Sequence, residues 1–202
     1  TVTLTDTDAN NIVTGSNVVT ITATFSEVMA SAPTINITGE VSNVAMTASS
    51  TADVWIYPWT VSTTTSGIVS ATIAGTDVSG KAYAGTTSIT FTIDNTVPTV
   101  TLTDTNSDNI ISNSDVVTIT ATFSKSMAAS PTISLSGLIS NAQMSATASA
   151  SIWTYIWTVS TTVTSTTATV SGTDLAGNTY AGTDSITFTV DDSDYVYLDS
   201  NG

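Results

Sequence analysis

This 202-residue sequence predicts an all-β protein made of two tandem sandwiches, and three observations predict it. The first is an internal repeat. Val2-Thr3-Leu4-Thr5-Asp6-Thr7 returns as Val100 to Thr105, and Val18 to Ser26 return as Val116 to Ser124, at a constant offset of 98. After a one-residue deletion the offset is 97, and Gly75-Thr76-Asp77 meets Gly172-Thr173-Asp174. The second is alternation: short runs place an apolar residue at every other position, and no stretch shows the 3.6-residue period of an amphipathic helix. The third is size. Each copy is about a hundred residues, long enough to hide roughly two-thirds of its unfolded surface in one core.

In the first copy seven runs follow one another, separated by Gly, Pro, Asn or Ser clusters. They span about residues 1–5, 18–26, 34–38, 43–48, 53–62, 68–75 and 87–94. Val2-Thr-Leu4-Thr opens the series, and Val19-Thr-Ile21-Thr-Ala23-Thr-Phe25 is its longest clean alternation. Thr34-Ile-Asn-Ile-Thr38 follows Pro33, and Asn43-Val-Ala-Met-Thr-Ala48 follows Gly39. Ile68 to Gly75 and Thr87 to Asp94 close the copy. Seven short strands in this length, with turn signals at regular spacing, predict an immunoglobulin-like seven-strand Greek-key sandwich. The domains are read as 1–95 and 96–192, joined through Asp94-Asn95-Thr96-Val97-Pro98, with 193–202 as a tail or the start of a different segment. The Cys…Trp…Cys pattern of antibody domains is missing, so only the architecture is predicted.

Comparing the copies shows which side of the fifth run faces inward. Trp55, Tyr57, Trp59 and Val61 recur as Trp153, Tyr155, Trp157 and Val159, whereas Ile56 and Pro58 become Thr154 and Ile156. Invariant positions at spacing two mark the buried face and variable ones the outer face. Aromatics on strands are core residues far more often than sugar-stacking platforms. Met29 with Met127, and Met46 with Met144, read as core gap fillers.

Composition excludes several function classes. Sixteen acids against two lysines give a net charge of −14, which opposes nucleic acid and anionic membrane surfaces. Cysteine and histidine are both absent. Disulfides, thiolate metal sites and the commonest general base are therefore unavailable. No Gly-x-Ser-x-Gly elbow or phosphate loop occurs. The acids sit in turns and change between copies (Asp53 becomes Ser151, Glu40 becomes Leu138), so no carboxylate pair is set up for hydrolysis. An enzyme is not expected. No apolar run is long enough to span a membrane, and the chain reads as a segment of a longer secreted protein.

Val170-Ser-Gly-Thr-Asp-Leu-Ala-Gly-Asn178 followed by Tyr180-Ala-Gly-Thr-Asp-Ser-Ile-Thr-Phe-Thr-Val190 resembles the bacterial Ig-like repeats of large surface proteins. Ala23-Thr24-Phe25-Ser26-Glu27 and Asp94-Asn95-Thr96-Val97-Pro98 share that resemblance, which covers both copies. Such repeats occur in giant adhesins and repetitive exoproteins, including those of Bacteroidota. The resemblance implies an extracellular or cell-surface location and a spacer or stalk role, with neighbouring repeats of the same polypeptide as partners. It also implies that calcium can sit near domain junctions. Two other roles stay open: a carbohydrate- or surface-binding module, and a filament subunit that pairs with other copies through sheet edges.

One constellation has metal-ligand spacing. Asp6, Asp8 and Asn10, with Asp104, Asn106 and Asp108 as counterparts, place oxygen side chains at positions one, three and five of a tight loop. Asn11 and Asn109 stand where glycine is expected, and Asn tolerates the left-handed conformation. Alternating strand directions would put this loop beside Asp94 and Asn95, with Asp174 of the second copy across the junction. The expectation is a Ca²⁺ site from Asp6, Asp8, Asn10, Asp94, Asn95 and Asp174, and a second from Asp104, Asn106, Asp108, Asp191 and Asp192. The competing expectation is that these residues simply cap their own turns. Lys81 aligns with Asn178 and Lys125 with Glu27; this non-equivalence argues against a Lys–Asn staple, and both lysines read as solvated.

Overall fold

The computed structural model describes residues 1–160 and 163–191. The tail 193–202 and Asp192 lie outside the described residues. The chain divides into two compact units between Thr96 and Val97.

In unit 1 the strands are β1 (Val2–Asp6), β2 (Ile12–Val13), β3 (Val18–Phe25), β4 (Thr34–Ile37), β5 (Val41–Ala45), β6 (Thr47–Ala48), β7 (Val54–Thr60), β8 (Gly67–Ala74) and β9 (Ser88–Ile93). They form one sheet in the order β1-β3-β7-β6 and a second in the order β2-β9-β8-β4-β5. Unit 2 repeats the plan with β10 (Val100–Asp104), β11 (Ile110–Ile111), β12 (Val116–Phe123), β13 (Thr132–Leu135), β14 (Ile139–Gln143), β15 (Ser145–Ala146), β16 (Ile152–Thr158), β17 (Ser165–Ser171) and β18 (Ser185–Val190). Its sheets run β10-β12-β16-β15 and β11-β18-β17-β13-β14. Each unit is an immunoglobulin-like β-sandwich, and register is preserved as well as order. Val2 faces Phe25 as Val100 faces Phe123, and Val19 faces Trp59 as Val117 faces Trp157.

The chain changes sheet at two places that alternation does not reveal. The run 43–48 is two strands: β5 pairs with β4, whereas β6 pairs with β7 in the opposite sheet. The crossing falls at Met46, whose buried side chain plugs the corner between the sheets. The chain also changes sheet near its start. After β1, the two residues of β2 join β9 in parallel, the one parallel pairing of unit 1 among the described residues. Period-two patterning continues through such a crossing because both inner faces look into one core.

The core forms where the two inner faces meet. Ile21, Ala23, Ile35, Ile37, Ala71 and Phe91 of unit 1 are essentially inaccessible to water, as are Ile119, Ala121, Ile133, Leu135, Ala168 and Phe188 of unit 2. The face assigned to the fifth run is the face observed. Trp59, Val61, Trp153, Trp157 and Val159 are buried, and Trp55, Tyr57 and Tyr155 pack half-buried against the core. Ile156, on the variable face, is 67% exposed. Trp59 meets Phe91 across the sandwich at 5.2 Å between ring centroids, and Trp157 meets Phe188 at 5.8 Å. Trp59, Trp153 and Trp157 are therefore core residues, and their indole faces are not open for sugar stacking.

Candidate functional site: an acidic crossover loop and an aspartate-centred turn

The loop holding Asp6, Asp8 and Asn10 carries the chain from β1 in one sheet to β2 in the other. Its side chains fold onto their own backbone. Asp6 Oδ1 accepts from the Asp8 amide at 2.9 Å, Asp8 Oδ1 from the Asn10 amide at 3.0 Å and from the Asn11 amide, and Asn10 Oδ1 from the Ile12 amide at 2.9 Å. Unit 2 follows suit. Asp104 accepts from the Asn106 amide at 2.8 Å, Asn106 from the Asp108 amide at 3.3 Å, and Asp108 from the Ile110 amide at 3.1 Å. Asn11 and Asn109 take positive φ values of 57° and 58°, which Asn adopts at lower cost than other side chains. A succession of Asx turns thus satisfies amides that the sheet crossing takes out of any ladder.

The loop is not beside Asp94 and Asn95. Asp6 stands opposite Ile21, midway along β3, so the crossover lies on the flank of the sandwich. The unexpected β2 is the reason: it carries the chain a further stretch before the turn into β3. The neighbours of Asn95 are the turn after β2 and the turn after β7. Asn95 Oδ1 accepts from the Thr14 hydroxyl at 3.1 Å and from the Gly15 amide, while its Nδ2 donates to the Ser62 and Thr65 carbonyls at 3.2 and 2.6 Å. Gly15 makes this approach possible, because a Cβ there would lie 2.6 Å from Thr63 Cα. Asp94 accepts from the Thr96 amide at 3.0 Å.

Asp174 is buried in the turn between β17 and β18. Its Oδ1 accepts from the amides of Ala176 at 3.0 Å and Asn178 at 2.9 Å. The Asn178 carboxamide reaches both oxygens, and Lys125 Nζ lies 3.3 Å from Oδ2. This corrects the expectation for Lys125, which is half-buried against a carboxylate and not solvated. Asp77 centres the corresponding turn of unit 1. Its Oδ1 accepts from the Ser79 hydroxyl at 2.7 Å and from the amides of Ser79 and Lys81 at 2.8 and 2.9 Å. The Ser79 hydroxyl first, then the Lys81 amide, hold its pKa down to about 2 against the opposing effect of burial.

A second pair of contacts, not anticipated from sequence, closes the same end of each unit. Tyr180 donates to Asp184 Oδ2 at 2.7 Å and accepts from the Asp184 amide at 3.0 Å, while Tyr83 bonds Thr87 in the same way. Burial, followed by the Asp184 carboxylate, raises the Tyr180 pKa. Gly85 and Gly182 pass beneath these rings where no Cβ fits. The signal was present: Tyr-Ala-Gly-Thr occurs in both copies.

Among the described residues, no three acidic side chains gather around a point where a metal ion would sit. Calcium takes six to eight oxygen ligands. The crossover loop offers three side chains per unit, each already accepting backbone hydrogen bonds, and an ammonium stands on Asp174. Within one unit the candidate residues do not fit a self-contained calcium cage.

No protein-family model matches the sequence, and no curated protein matches it. Solved structures do. A "Ca2+-stabilized adhesin" of an Antarctic bacterium that binds ice is similar over 95% of this chain and 49% of its own, with a TM-score of 0.53 and 23% identity. Fibronectin(III)-like modules of Clostridium thermocellum CbhA align over 96% of this chain and 95% of theirs, with a TM-score of 0.49 and 16% identity. A tetra-tandem repeat from the extending region of a large adhesion protein aligns over 94% of this chain and 49% of its own, with a TM-score of 0.42 and 19% identity. The chain spans about half the length of both adhesin structures. What the likeness to the ice-binding bacterium's adhesin shows is the fold.

Proposed function

We propose that the chain is a pair of structural spacer repeats from an extracellular, adhesin-type bacterial protein. The observation that carries this reading is that the copies share the strand register, the capped turns and nearly all of the core, while the changes fall largely at exposed positions such as Pro58 and Ile68, which become Ile156 and Ser165. Selection on a spacer acts on packing and turn closure. A binding module would need an outward site, and here the aromatic residues that could form one face the core. The reading is non-enzymatic. The partners under this proposal are neighbouring repeats of the same polypeptide. The adhesin-like neighbours support the reading as relatives in fold.

A chimera tests it. Exchanging both units for two unrelated sandwiches of equal length is expected to leave the target binding of the parent protein unchanged. Loss of binding would assign recognition to these units and favour the binding-module reading. Calcium rigidification is a finer form of the proposal, and it requires ligands beyond those one unit gathers. Adding calcium to chelator-treated protein is expected to raise the thermal midpoint if it holds. An unchanged midpoint removes calcium and leaves the spacer reading standing.

A further inference from the structure

Unit 1 carries a cleft of about 320 Å³ that nothing in the spacer reading uses. Its apolar wall is made by Phe25, Met29 and Tyr83, and its polar side by Glu27, Asp77 and Lys81. Asp77 is 8% exposed, and Glu27 lines the same cleft. Two carboxylates thus border one partly apolar recess. Among the described residues no ion pair joins Lys81 to either of them. The backbone nitrogen of Thr1, at the rim, donates to the Ser26 hydroxyl at 2.7 Å, as the Thr99 amide donates to Ser124 in unit 2.

The duplicate supplies the key to this arrangement. Phe123, Met127, Tyr180 and Asp174 of unit 2 stand where Phe25, Met29, Tyr83 and Asp77 stand in unit 1, but the residue aligned with Glu27 is Lys125. Its ammonium lies 3.3 Å from Asp174 Oδ2. Asp174, at 1% exposed, is more deeply covered than Asp77. Unit 2 therefore meets its buried aspartate with a lysine of its own, and in unit 1 the exchange of that Lys for Glu replaces the tethered cation with a second carboxylate. The occupant that fits such a site has an ammonium on a short aliphatic stem: the stem lies against apolar walls, as lysine stems do, and the head group takes charge-assisted hydrogen bonds.

We propose that the Glu27–Asp77 cleft of unit 1 binds primary alkylammonium groups, with the Lys125 side chain as its built-in model. This goes beyond the spacer reading and stands independently of it.

The test is an NMR titration of the whole 202-residue chain with n-butylammonium chloride, following the Met29 methyl and the Phe25 and Tyr83 rings. Saturable shifts with a Kd of about 1 mM are expected, a scale suited to a ligand of a few heavy atoms. Glu27→Gln is expected to weaken binding about tenfold through loss of one charged partner. Glu27→Lys is expected to abolish it by giving unit 1 the arrangement of unit 2. The conservative Glu27→Gln variant keeps the test decisive should Glu27→Lys fail to fold. n-Butanol, with the same stem and no charge, is expected to leave these signals unmoved. An Nα-acetyl-lysine N-methylamide arm separates protein lysines from free small amines as the source, and binding of either supports the proposal. It is overturned if butylammonium gives no saturable shift, or if either Glu27 variant binds as the parent does. It is equally overturned if calcium chloride moves the same signals and butylammonium does no more than sodium chloride.

Discussion

Trp59→Ala measures how much of unit 1 rests on its largest core residue. Trp59 is 1% exposed, lies 5.2 Å from Phe91 between ring centroids, and donates its indole N–H to Glu40 Oε2 at 3.3 Å. Burying an aromatic of this size hides 150–250 Å², worth about 4–6 kcal/mol at ~25 cal/mol per Å². The alanine keeps part of that burial, and observed losses for such truncations run about 3–5 kcal/mol. We therefore expect a destabilisation of about 4 kcal/mol. For a domain of roughly a hundred residues, each kcal/mol moves the melting temperature by about 4–8 °C, so unit 1 should melt roughly 15–30 °C lower. Calorimetry of the intact chain reads this directly. The two cores share no residues, so one endotherm should fall while the other stays. The companion Trp157→Ala isolates packing, because Leu138 stands where Glu40 accepts the hydrogen bond in unit 1. A loss below about 1 kcal/mol would refute the reasoning, since that is the range of a surface substitution. So would a joint collapse of both endotherms.

Three further outcomes follow from the turns. The Asp77 pKa is lowered from 3.8 to about 2 in the folded state, so its carboxylate stabilises unit 1 above pH 4, and that contribution is lost as pH falls from 3.8 toward 2. Asp77→Asn should accordingly flatten the pH dependence of the unit 1 melting temperature in that window, while unit 2 keeps its own profile. Gly15→Ala should cost about 1–3 kcal/mol in urea unfolding of unit 1, because the added Cβ meets the Thr63 backbone at 2.6 Å and pushes on Asn95. Asp8→Ala removes the acceptor of two loop amides and should cost about 1–2 kcal/mol, with faster hydrogen exchange at Asn10 and Asn11.

The parts of the fold legible in the sequence are those in which one residue's neighbours along the chain decide its environment. Alternation placed Trp59 and Val61 inward because a strand has only two faces. It did not reveal the sheet changes at β2 and at Met46, since a strand that crosses to the facing sheet keeps presenting alternate residues to the same core. The acidic crossover loop was ambiguous for a chemical reason. Oxygen side chains at alternate positions serve a cation and an amide donor equally well, and only the geometry shows which is satisfied. Asp174 stands out in the sequence for its carboxylate, but its partner within unit 2 does not. Lys125 lies 49 positions away in sequence, aligned with an acid in the other copy, so nothing local announced the pair. Tyr83 and Tyr180 were passed over although their flanking Ala-Gly-Thr repeats, because a hydroxyl returning to its own loop leaves no periodic trace.

The parallel pairing of β2 with β9 has a mechanical consequence. Within unit 1 the chain enters beside the end of β3, where the Ser26 amide bonds the Thr1 carbonyl, and leaves past β9 at the other end, where Asn95 meets Gly15. Tension applied to the two ends would draw β2 and β9 in opposite directions along their length. Thr92 N to Asn11 O and Asp94 N to Val13 O, both 2.8 Å, lie across that line of sliding and would be loaded together, not opened one after another like a zip. Thr189 N to Asn109 O and Asp191 N to Ile111 O repeat the arrangement in unit 2 at the same 2.8 Å. A two-residue strand that sets one side chain in the core thus also acts as a shear latch, resisting tension applied between the two ends of its unit.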